Sequence, residues 1–114
     1  MAGEQPSSPY ERRHTAAEIA RRNDEFRRTT REMYLMPGIQ ALPDMLDLVQ
    51  AVRDFNTFTY DNDPDGEHNR GSIIWHEQET MWQIDYFDQT LSYAEDPLLP
   101  ECRRVLTILL SSEY

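Results

Sequence analysis

Hydrophobic positions recur with a helical period in two segments of the chain. Within residues 42–55 apolar side chains return every three or four positions, which predicts an amphipathic helix with one continuous apolar face. Its start is expected near Pro43, because proline is tolerated in a first helical turn, and Asp44 suits the positive end of the helix dipole. An earlier helix is predicted over about 16–30, opened by a capping box at 15–18. Its apolar stripe is thin and contains Asn23, so most of this helix is expected to face solvent.

Strand patterns follow in the second half of the chain. Residues 72–76 and 81–87 are predicted as two strands joined by a polar turn at 77–79. In the second strand the two-residue alternation puts Trp82, Ile84 and Tyr86 on the core face. Residues 103–110 fit a helix or a buried strand, and their β-branched side chains favour a strand. An extended segment at 32–36 is expected to end in a turn over Pro37-Gly38.

Together these elements predict an α+β fold, with two N-terminal helices packed on a small, mainly antiparallel β-sheet. Residues 1–14 lack periodicity and are expected to form a disordered lead-in, and residues 15–114 to form a single domain.

No apolar run reaches the roughly 18 residues of a membrane helix, and no secretion signal is evident. The single Cys102 allows no internal disulfide and no cysteine-based zinc site. We therefore expect a cytoplasmic protein.

Charge is divided unevenly along the chain. The formal net charge is −10, with eleven arginines and no lysine. Residues 1–32 hold seven arginines and six acids, whereas residues 33–114 hold four arginines and fifteen acids. Such an acidic body argues against direct binding of nucleic acid or anionic membranes, because phosphate recognition depends on cations. Two interpretations stay open: the charge keeps the protein soluble, or a basic partner recognises it.

The arginines of the first helix have acids at helical spacing. Glu18 precedes Arg22 by four residues, and Arg21 precedes Glu25 by the same interval. Most of these arginines are therefore expected to be neutralised within the helix rather than to contact an acidic partner.

The loop at 61–68 contains three aspartates at calcium-loop spacing, followed by the glycine that such loops need for their bend: Asp61, Asp63, Asp65 and Gly66. The match ends there. His68 stands where an apolar residue is usual, and Ser72 where a glutamate should close the metal shell. An Asx-turn loop, in which Asp and Asn side chains accept backbone N–H groups, explains the same residues without a metal.

The sequence gives weak support to two catalytic arrangements. A divalent metal for phosphodiester chemistry would be held by four side chains, Asp61, Asp63, Glu67 and His68. A nucleophilic Cys102 would take its base from the three histidines, His14, His68 and His76. The chain has no basic groove for a polyanionic substrate, and apolar neighbours predict that the thiol is buried and inert. We therefore expect no enzymatic activity and no cofactor.

Four runs of sequence stand out: residues 19–27 (IARRNDEFR), 61–64 with 66–68 (DNDP and GEH), 82–88 (WQIDYFD) and 104–108 (RVLTI), with the final SEY. Together they resemble one family of small bacterial proteins, a domain of unknown function common on plasmids and other mobile elements. The resemblance covers about residues 16–114. In that family the position of Asp65 is usually aromatic, which implies that the calcium-like spacing is particular to this chain. The family supplies no activity, but accessory genes of mobile elements often encode small inhibitors of host defence.

These observations lead to one favoured function. We expect a non-enzymatic acidic interaction protein that inhibits a bacterial nucleic-acid-binding defence complex, of anti-CRISPR or antirestriction type, by presenting carboxylates as a nucleic-acid mimic. The predicted partner-binding surface consists of eleven acids: Asp44, Asp47, Asp54, Asp61, Asp63, Asp65, Glu67, Glu77, Glu79, Asp85 and Asp88.

The sequence is also compatible with two other functions and with one assembly. A calcium-binding module would use Asp61, Asp63 and Asp65. A ribonuclease-toxin-like protein is suggested by two helices before an antiparallel sheet, although the acidic body opposes RNA binding. A homodimer is also expected, in which the arginine-rich first helix contacts the acidic body of a second copy.

Overall fold

The computed structural model describes residues 9–114, which form helices and strands in two layers. In chain order the elements are α1 (Pro9–Thr29), β1 (Tyr34–Leu35), α2 (Pro37–Gln40), α3 (Met45–Arg53), β2 (Arg70–Trp75), β3 (Gln78–Phe87), β4 (Arg103–Leu110) and a closing 3₁₀ turn (Ser111–Glu113). The strands form one sheet in the order β1-β4-β3-β2. β1 is parallel to β4 and the other two pairs are antiparallel, so the α+β fold contains a mixed sheet.

The three long strands lie where the sequence predicts them. β4 pairs with β3 along its whole length, from Arg103 opposite Phe87 to Leu110 opposite Thr80, which confirms the strand at 103–110. The predicted turn at 77–79 is observed at residues 76–77, so it begins one residue earlier and ends two residues earlier than expected. His76 and Glu77 form a two-residue turn with φ of 48° and 66°, the signs of a type I′ hairpin, and β3 already begins at Gln78.

The core lies between the helices and one face of the sheet, here called the inner face. Trp82, Ile84, Leu106 and Ile108 are buried on this face, as the alternation along β3 predicts. They contact a set of buried side chains from α2 and α3: Ile39, Leu48 and Val52. The predicted helix within 42–55 is thereby confirmed, with its apolar face directed at the sheet.

The close packing of Trp82 depends on a glycine in the neighbouring strand. Gly71 stands opposite Trp82 in the sheet. A Cβ atom at Gly71 would lie 2.5 Å from Trp82 Nε1 and 2.8 Å from Phe55 Cζ, closer than real Cβ contacts. Glycine therefore allows the indole to pack against β2.

Two predicted boundaries in the first half of the chain are wrong. α1 begins at Pro9, so the capping box expected at 15–18 lies inside the helix. The pattern of apolar residues did not predict the first turns of α1, because apolar side chains do not recur there at helical spacing. The expected lead-in therefore overlaps α1 at 9–14, and residues 1–8 lie outside the described part. The turn expected at Pro37-Gly38 is the first turn of α2, with proline at a position that needs no N–H donor.

The two-helix prediction is also incomplete. All three helices precede β2, but β1 lies between α1 and α2 and adds the parallel strand pair. Across residues 9–114, no helix combines the length and the apolar character needed to cross a bilayer.

Candidate functional site

α1 contacts the rest of the domain through buried polar side chains as well as apolar ones. Asn23 and Arg27, four residues apart, are both 0% exposed. Arg27 donates from Nε to the Val52 carbonyl (3.0 Å) and from Nη2 to the Phe55 carbonyl (2.8 Å). Val52 belongs to the last turn of α3 and Phe55 follows its C-cap, Asp54; the Val52 carbonyl also accepts the Phe55 N–H at 3.2 Å. The expectation that arginines of this helix face solvent is therefore wrong for Arg27.

The guanidinium of Arg27 has further partners on its other sides. It lies 4.8 Å from the ring centroid of Trp82 and donates from Nη1 to Asp24 Oδ1 at 3.0 Å. Burial lowers the pKa of Arg27, and the Asp24 carboxylate opposes that shift. The side chain thus joins α1, α3 and the sheet at one point.

A histidine between two carboxylates attaches the loop at 61–68 to α1. His68 Nδ1 lies 3.0 Å from Asp24 Oδ1, and its Nε2 lies 3.7 Å from Asp63 Oδ2. The ring stacks on Phe58, with centroids 3.7 Å apart. The Asp63 side chain is only 5% exposed and accepts the backbone N–H of His68 at 3.3 Å. Asp63 is therefore an internal anchor of the loop rather than a surface acid.

Asn23 is the centre of a second, connected set of hydrogen bonds. Its Nδ2 donates to the Glu67 carbonyl (3.0 Å) and to Tyr86 Oη (2.8 Å), while its Oδ1 accepts from Arg104 Nε at 2.6 Å. Tyr86 Oη donates to Glu67 Oε1 at 2.9 Å. Burial raises the pKa of Tyr86 far above its ordinary value of 10.0, so its hydroxyl stays protonated at neutral pH.

We call these residues the polar network: Asn23, Asp24, Arg27, Asp63, Glu67, His68, Tyr86 and Arg104. They come from all four sequence runs that carry the family resemblance. The sequence analysis did not predict that Asn23 and Arg27 of α1 are buried. The only indication in the sequence was that Asn23 interrupts the apolar stripe of the helix. The bonds run between elements, so the arrangement fixes the loop, α1 and β3 against one another.

A cleft of about 650 Å³ opens beside this network, between the start of α1 and residues 58–68. His68 borders it with a side chain that is 27% exposed. Because each ring nitrogen of His68 faces a carboxylate, the histidine is poorly placed to act as a free base toward a ligand in the cleft.

The aspartates of the calcium-like loop do not converge. Asp61 and Asp65 are exposed, whereas Asp63 is buried. Within residues 9–114 no group of three or more His, Cys, Asp or Glu side chains is arranged to hold a metal ion. Instead loop side chains accept backbone N–H groups, as the alternative explanation expects, but not with the i+2 spacing of an Asx turn: Asn62 Oδ1 accepts the N–H of Thr59, three residues earlier, and Asp63 accepts that of His68, five residues later.

Cys102 is not placed beside any of the three histidines considered as its base. The charged groups that face its thiol are Arg104, Glu95 and Asp96. Burial raises the pKa of Cys102, which disfavours the reactive thiolate. His76 lies instead near Asp44, with Nε2 3.2 Å from Oδ2.

The eleven acids predicted to form a partner surface separate into two groups. Seven are exposed: Asp44, Asp47, Asp54, Asp61, Asp65, Glu77 and Glu79. The other four are partly or fully buried: Asp63, Glu67, Asp85 and Asp88. Asp85 alternates with the inward-facing Ile84, so it lies on the face of the sheet opposite α3. The eleven therefore do not share one surface.

Four of the exposed acids lie along one side of the molecule. The β2–β3 turn reaches the start of α3 through the His76–Asp44 contact and through Trp75 Nε1, which donates to the Pro43 carbonyl at 3.0 Å. Asp47 and Asp54 are seven residues apart, about two helical turns on the same side of α3. We call this set the acidic row: Asp44, Asp47, Asp54 and Glu77. Glu79 alternates with Thr80 and Trp82 along β3, so it lies on the face of the sheet opposite α3.

The arginines of α1 are partly neutralised within the helix, as predicted. Arg21 Nη1 lies 3.5 Å from Glu25 Oε2, and Arg22 Nε lies 3.8 Å from Glu18 Oε2. Exposed pairs of this kind contribute little to stability, so α1 is held mainly by the polar network and by its apolar contacts.

A family model described as protein of unknown function (DUF3768) matches residues 35–113. The chain belongs to this family. The match runs from the end of β1 into the closing turn. It includes five residues of the polar network, Asp63, Glu67, His68, Tyr86 and Arg104, but not the three network residues of α1. No curated protein and no solved structure matches the chain.

Proposed function

We propose that this DUF3768 protein is a non-enzymatic interaction protein whose acidic row occupies the nucleic-acid-binding site of a basic protein complex. The exposure of the row carries this proposal. The one arginine of α3, Arg53, points away from the row, because its Nη1 lies 3.3 Å from the carbonyls of Arg27 and Arg28. No arginine of α3 therefore neutralises the row, and an arginine-lined channel would be its electrostatic complement.

The favoured partner is a nucleic-acid-binding complex of bacterial defence, of CRISPR or restriction type. Asp47 and Asp54 are about 10 Å apart along the helix axis, a length over which one DNA strand presents about three phosphates. The row is thus less dense in charge than DNA, and the exposed Asp61 and Asp65 of the loop would add to it. Binding through such a surface is expected to weaken as salt rises.

The side chains considered as candidate catalytic groups are engaged or half-buried within the protein, which supports a function without catalysis. Both nitrogens of His68 face carboxylates of the chain, and Cys102 is a half-buried thiol whose pKa is raised. We expect no cleavage in an RNA-cleavage assay and no rise in melting temperature on calcium titration, the two measurements that separate the alternative functions.

The proposal is tested by capture from a bacterial lysate that contains CRISPR and restriction complexes. The tagged protein is compared with the triple variant D44N/D47N/D54N and with a control of equal charge change, E25Q/E32Q/E101Q, whose acids are exposed but lie outside the row. We expect wild type and control to retain a nucleic-acid-binding complex that duplex DNA or high salt displaces, and the row variant to lose it. Capture that resists salt and DNA, or that the row variant keeps, would count against the proposal.

A further inference from the structure

A second cleft, of about 480 Å³, lies between α1 and the start of β4. One wall consists of α1 side chains three and four positions apart: Arg22, Glu25, Phe26 and Thr29. The other wall contains Gln89, Cys102 and the first two residues of β4, Arg103 and Arg104. Three arginines therefore meet in one cleft of a chain whose formal net charge is −10. We call it the arginine cleft.

One short segment holds two of these guanidinium groups. Arg22 Nη1 donates to the Leu98 carbonyl at 2.9 Å, and Arg104 Nη2 donates to the Pro97 carbonyl at 3.0 Å. Because residues 97 and 98 are consecutive and both arginines line the same cleft, two positive charges are held near each other. Like charges repel, and an anion that contacts both guanidinium groups would replace that repulsion with two attractions.

The hydrogen-bond partners of Arg104 are all neutral. Besides the carbonyl of residue 97, its Nε donates to Asn23 Oδ1 at 2.6 Å and its Nη1 lies 3.9 Å from Cys102 Sγ. Arg104 is half-buried, yet in the part of the chain that the structure describes it forms no ion pair. Charged side chains that leave water are usually paired, so this cation lacks a counter-ion.

The carboxylates near the arginine cleft are engaged elsewhere or extend into solvent. Those of Glu95 and Asp96 accept backbone N–H groups of their own turn. Glu25 lies 3.5 Å from an arginine outside the cleft. Glu32, which borders the cleft after α1, has a side chain that is 89% exposed and approaches Arg103 only to 4.0 Å. The two glutamates that line the cleft therefore leave its three arginines in excess.

We propose that the arginine cleft binds the phosphate group of a small molecule. A guanidinium presents its N–H donors in a planar fork that matches phosphate oxygens. Within residues 9–114, Arg22 Nη2 and the nitrogens of Arg103 donate no hydrogen bond, so they are available to a ligand. The cleft is large enough for the rest of a metabolite-sized molecule. Because the acidic row lies on α3 and the β2–β3 turn, this site is independent of the proposed function.

An NMR titration of the full chain with inorganic phosphate tests the site, with sodium chloride of equal ionic strength as the reference. We expect the Nε–H signals of Arg22 and Arg104 and the amides of residues 102–104 to shift and to saturate, with half-saturation below about 10 mM. Amides of the loop at 61–68 should not shift. Shifts that sodium chloride reproduces, or that do not saturate, would overturn the proposal.

The form of the phosphate separates a small molecule from nucleic acid. Glycerol phosphate is a monoester with nearly two negative charges at pH 7, and we expect it to bind at least as tightly as inorganic phosphate. Dimethyl phosphate has the single charge of a nucleic-acid backbone phosphate and should bind at least about tenfold more weakly. Equal binding of the monoester and the diester would favour a nucleic-acid backbone and contradict the assignment.

Matched variants locate the phosphate. Arg22→Gln and Arg103→Gln each remove one arginine of the cleft, and Arg21→Gln makes the same change at an exposed neighbour that pairs with two glutamates of α1. We expect each of the first two to raise the half-saturating phosphate concentration at least about tenfold and the third to leave it unchanged. Circular dichroism verifies that each variant folds, and Arg103→Gln serves if Arg22→Gln does not. Equal phosphate binding by the Arg103 and Arg21 variants would refute the site.

Discussion

Arg27 shows how one buried charge is accommodated in a small domain. Removing a guanidinium from water is costly unless its donors are satisfied. Here Nε donates to the Val52 carbonyl of α3, Nη2 to the Phe55 carbonyl just after α3 and Nη1 to Asp24, and the Trp82 ring faces the cation. The side chain is therefore a structural link, and its removal would leave buried carbonyls and a carboxylate without their partner.

Replacing Arg27 by methionine tests this role. We expect Arg27→Met to lower the free energy of unfolding by about 2–4 kcal/mol, because it leaves buried acceptors unsatisfied. The control Arg28→Met changes the next, exposed residue and should cost less than about 0.5 kcal/mol. Urea unfolding measures both. Equal effects of the two substitutions would show that Arg27 contributes no more than a surface arginine.

Asp85 provides a pH test at the residue scale. Burial raises its pKa above the ordinary 3.8, so ionisation of this carboxylate opposes folding. That penalty is fully present above the pKa of the folded protein and disappears as the pH falls to the unfolded value. We expect Asp85→Asn to raise the free energy of unfolding at pH 7 and to have no such effect near pH 3. The measurement uses dilute, monomeric protein, and a stabilisation equal at both pH values would contradict the assignment.

At the scale of elements, the loop at 61–68 is held to α1 and β3 by side chains far apart in sequence. Asn23 bonds to Glu67, Tyr86 and Arg104, which follow it by 44, 63 and 81 residues. Hydropathy along α1 shows only a thin apolar stripe, and nothing local indicates that a polar residue is buried there. The location of the polar network therefore could not be predicted from periodicity.

By contrast, elements whose apolar residues recur at regular spacing could be predicted from the sequence. Leu48 and Val52 repeat at helical spacing, and Trp82 and Ile84 occupy alternate positions along a strand. In both cases the periodicity itself indicates which side chains are buried. The short helix α2 has no such pattern, and Pro37-Gly38 is equally compatible with a turn. Composition predicts the net charge of the chain but not which of its acids are exposed. Asp63 and Asp85 are the same residue type as Asp47, and only tertiary contacts make them less exposed.

Substitution of Asn23 tests the attachment of the loop. Asn23→Ala removes three hydrogen bonds at a fully buried position, and we expect it to cost about 2–4 kcal/mol of unfolding free energy. Asn56→Ala, at an exposed position just after α3, is the matched control and should have little effect. Hydrogen exchange of the amides at 62–68 should accelerate in the Asn23 variant. Unchanged exchange would show that other contacts hold the loop.

As a whole molecule the protein has two contrasting sides. The helical layer and the β2–β3 turn present the acidic row, while the face of the sheet opposite the helices carries two arginines and two acids: Arg70, Arg103, Glu79 and Asp85. A basic partner is therefore expected to contact the helical side, where no arginine of α3 neutralises the acids.

Competition with duplex DNA for the captured complex tests the central claim most directly. With the purified complex and a labelled duplex, we expect the wild-type protein to displace the DNA, with an apparent affinity that falls as salt rises. D44N/D47N/D54N should lose at least about tenfold in displacement, while E25Q/E32Q/E101Q should match wild type. A ternary complex in which DNA stays bound, or equal displacement by the two triple variants, would contradict the role of the acidic row.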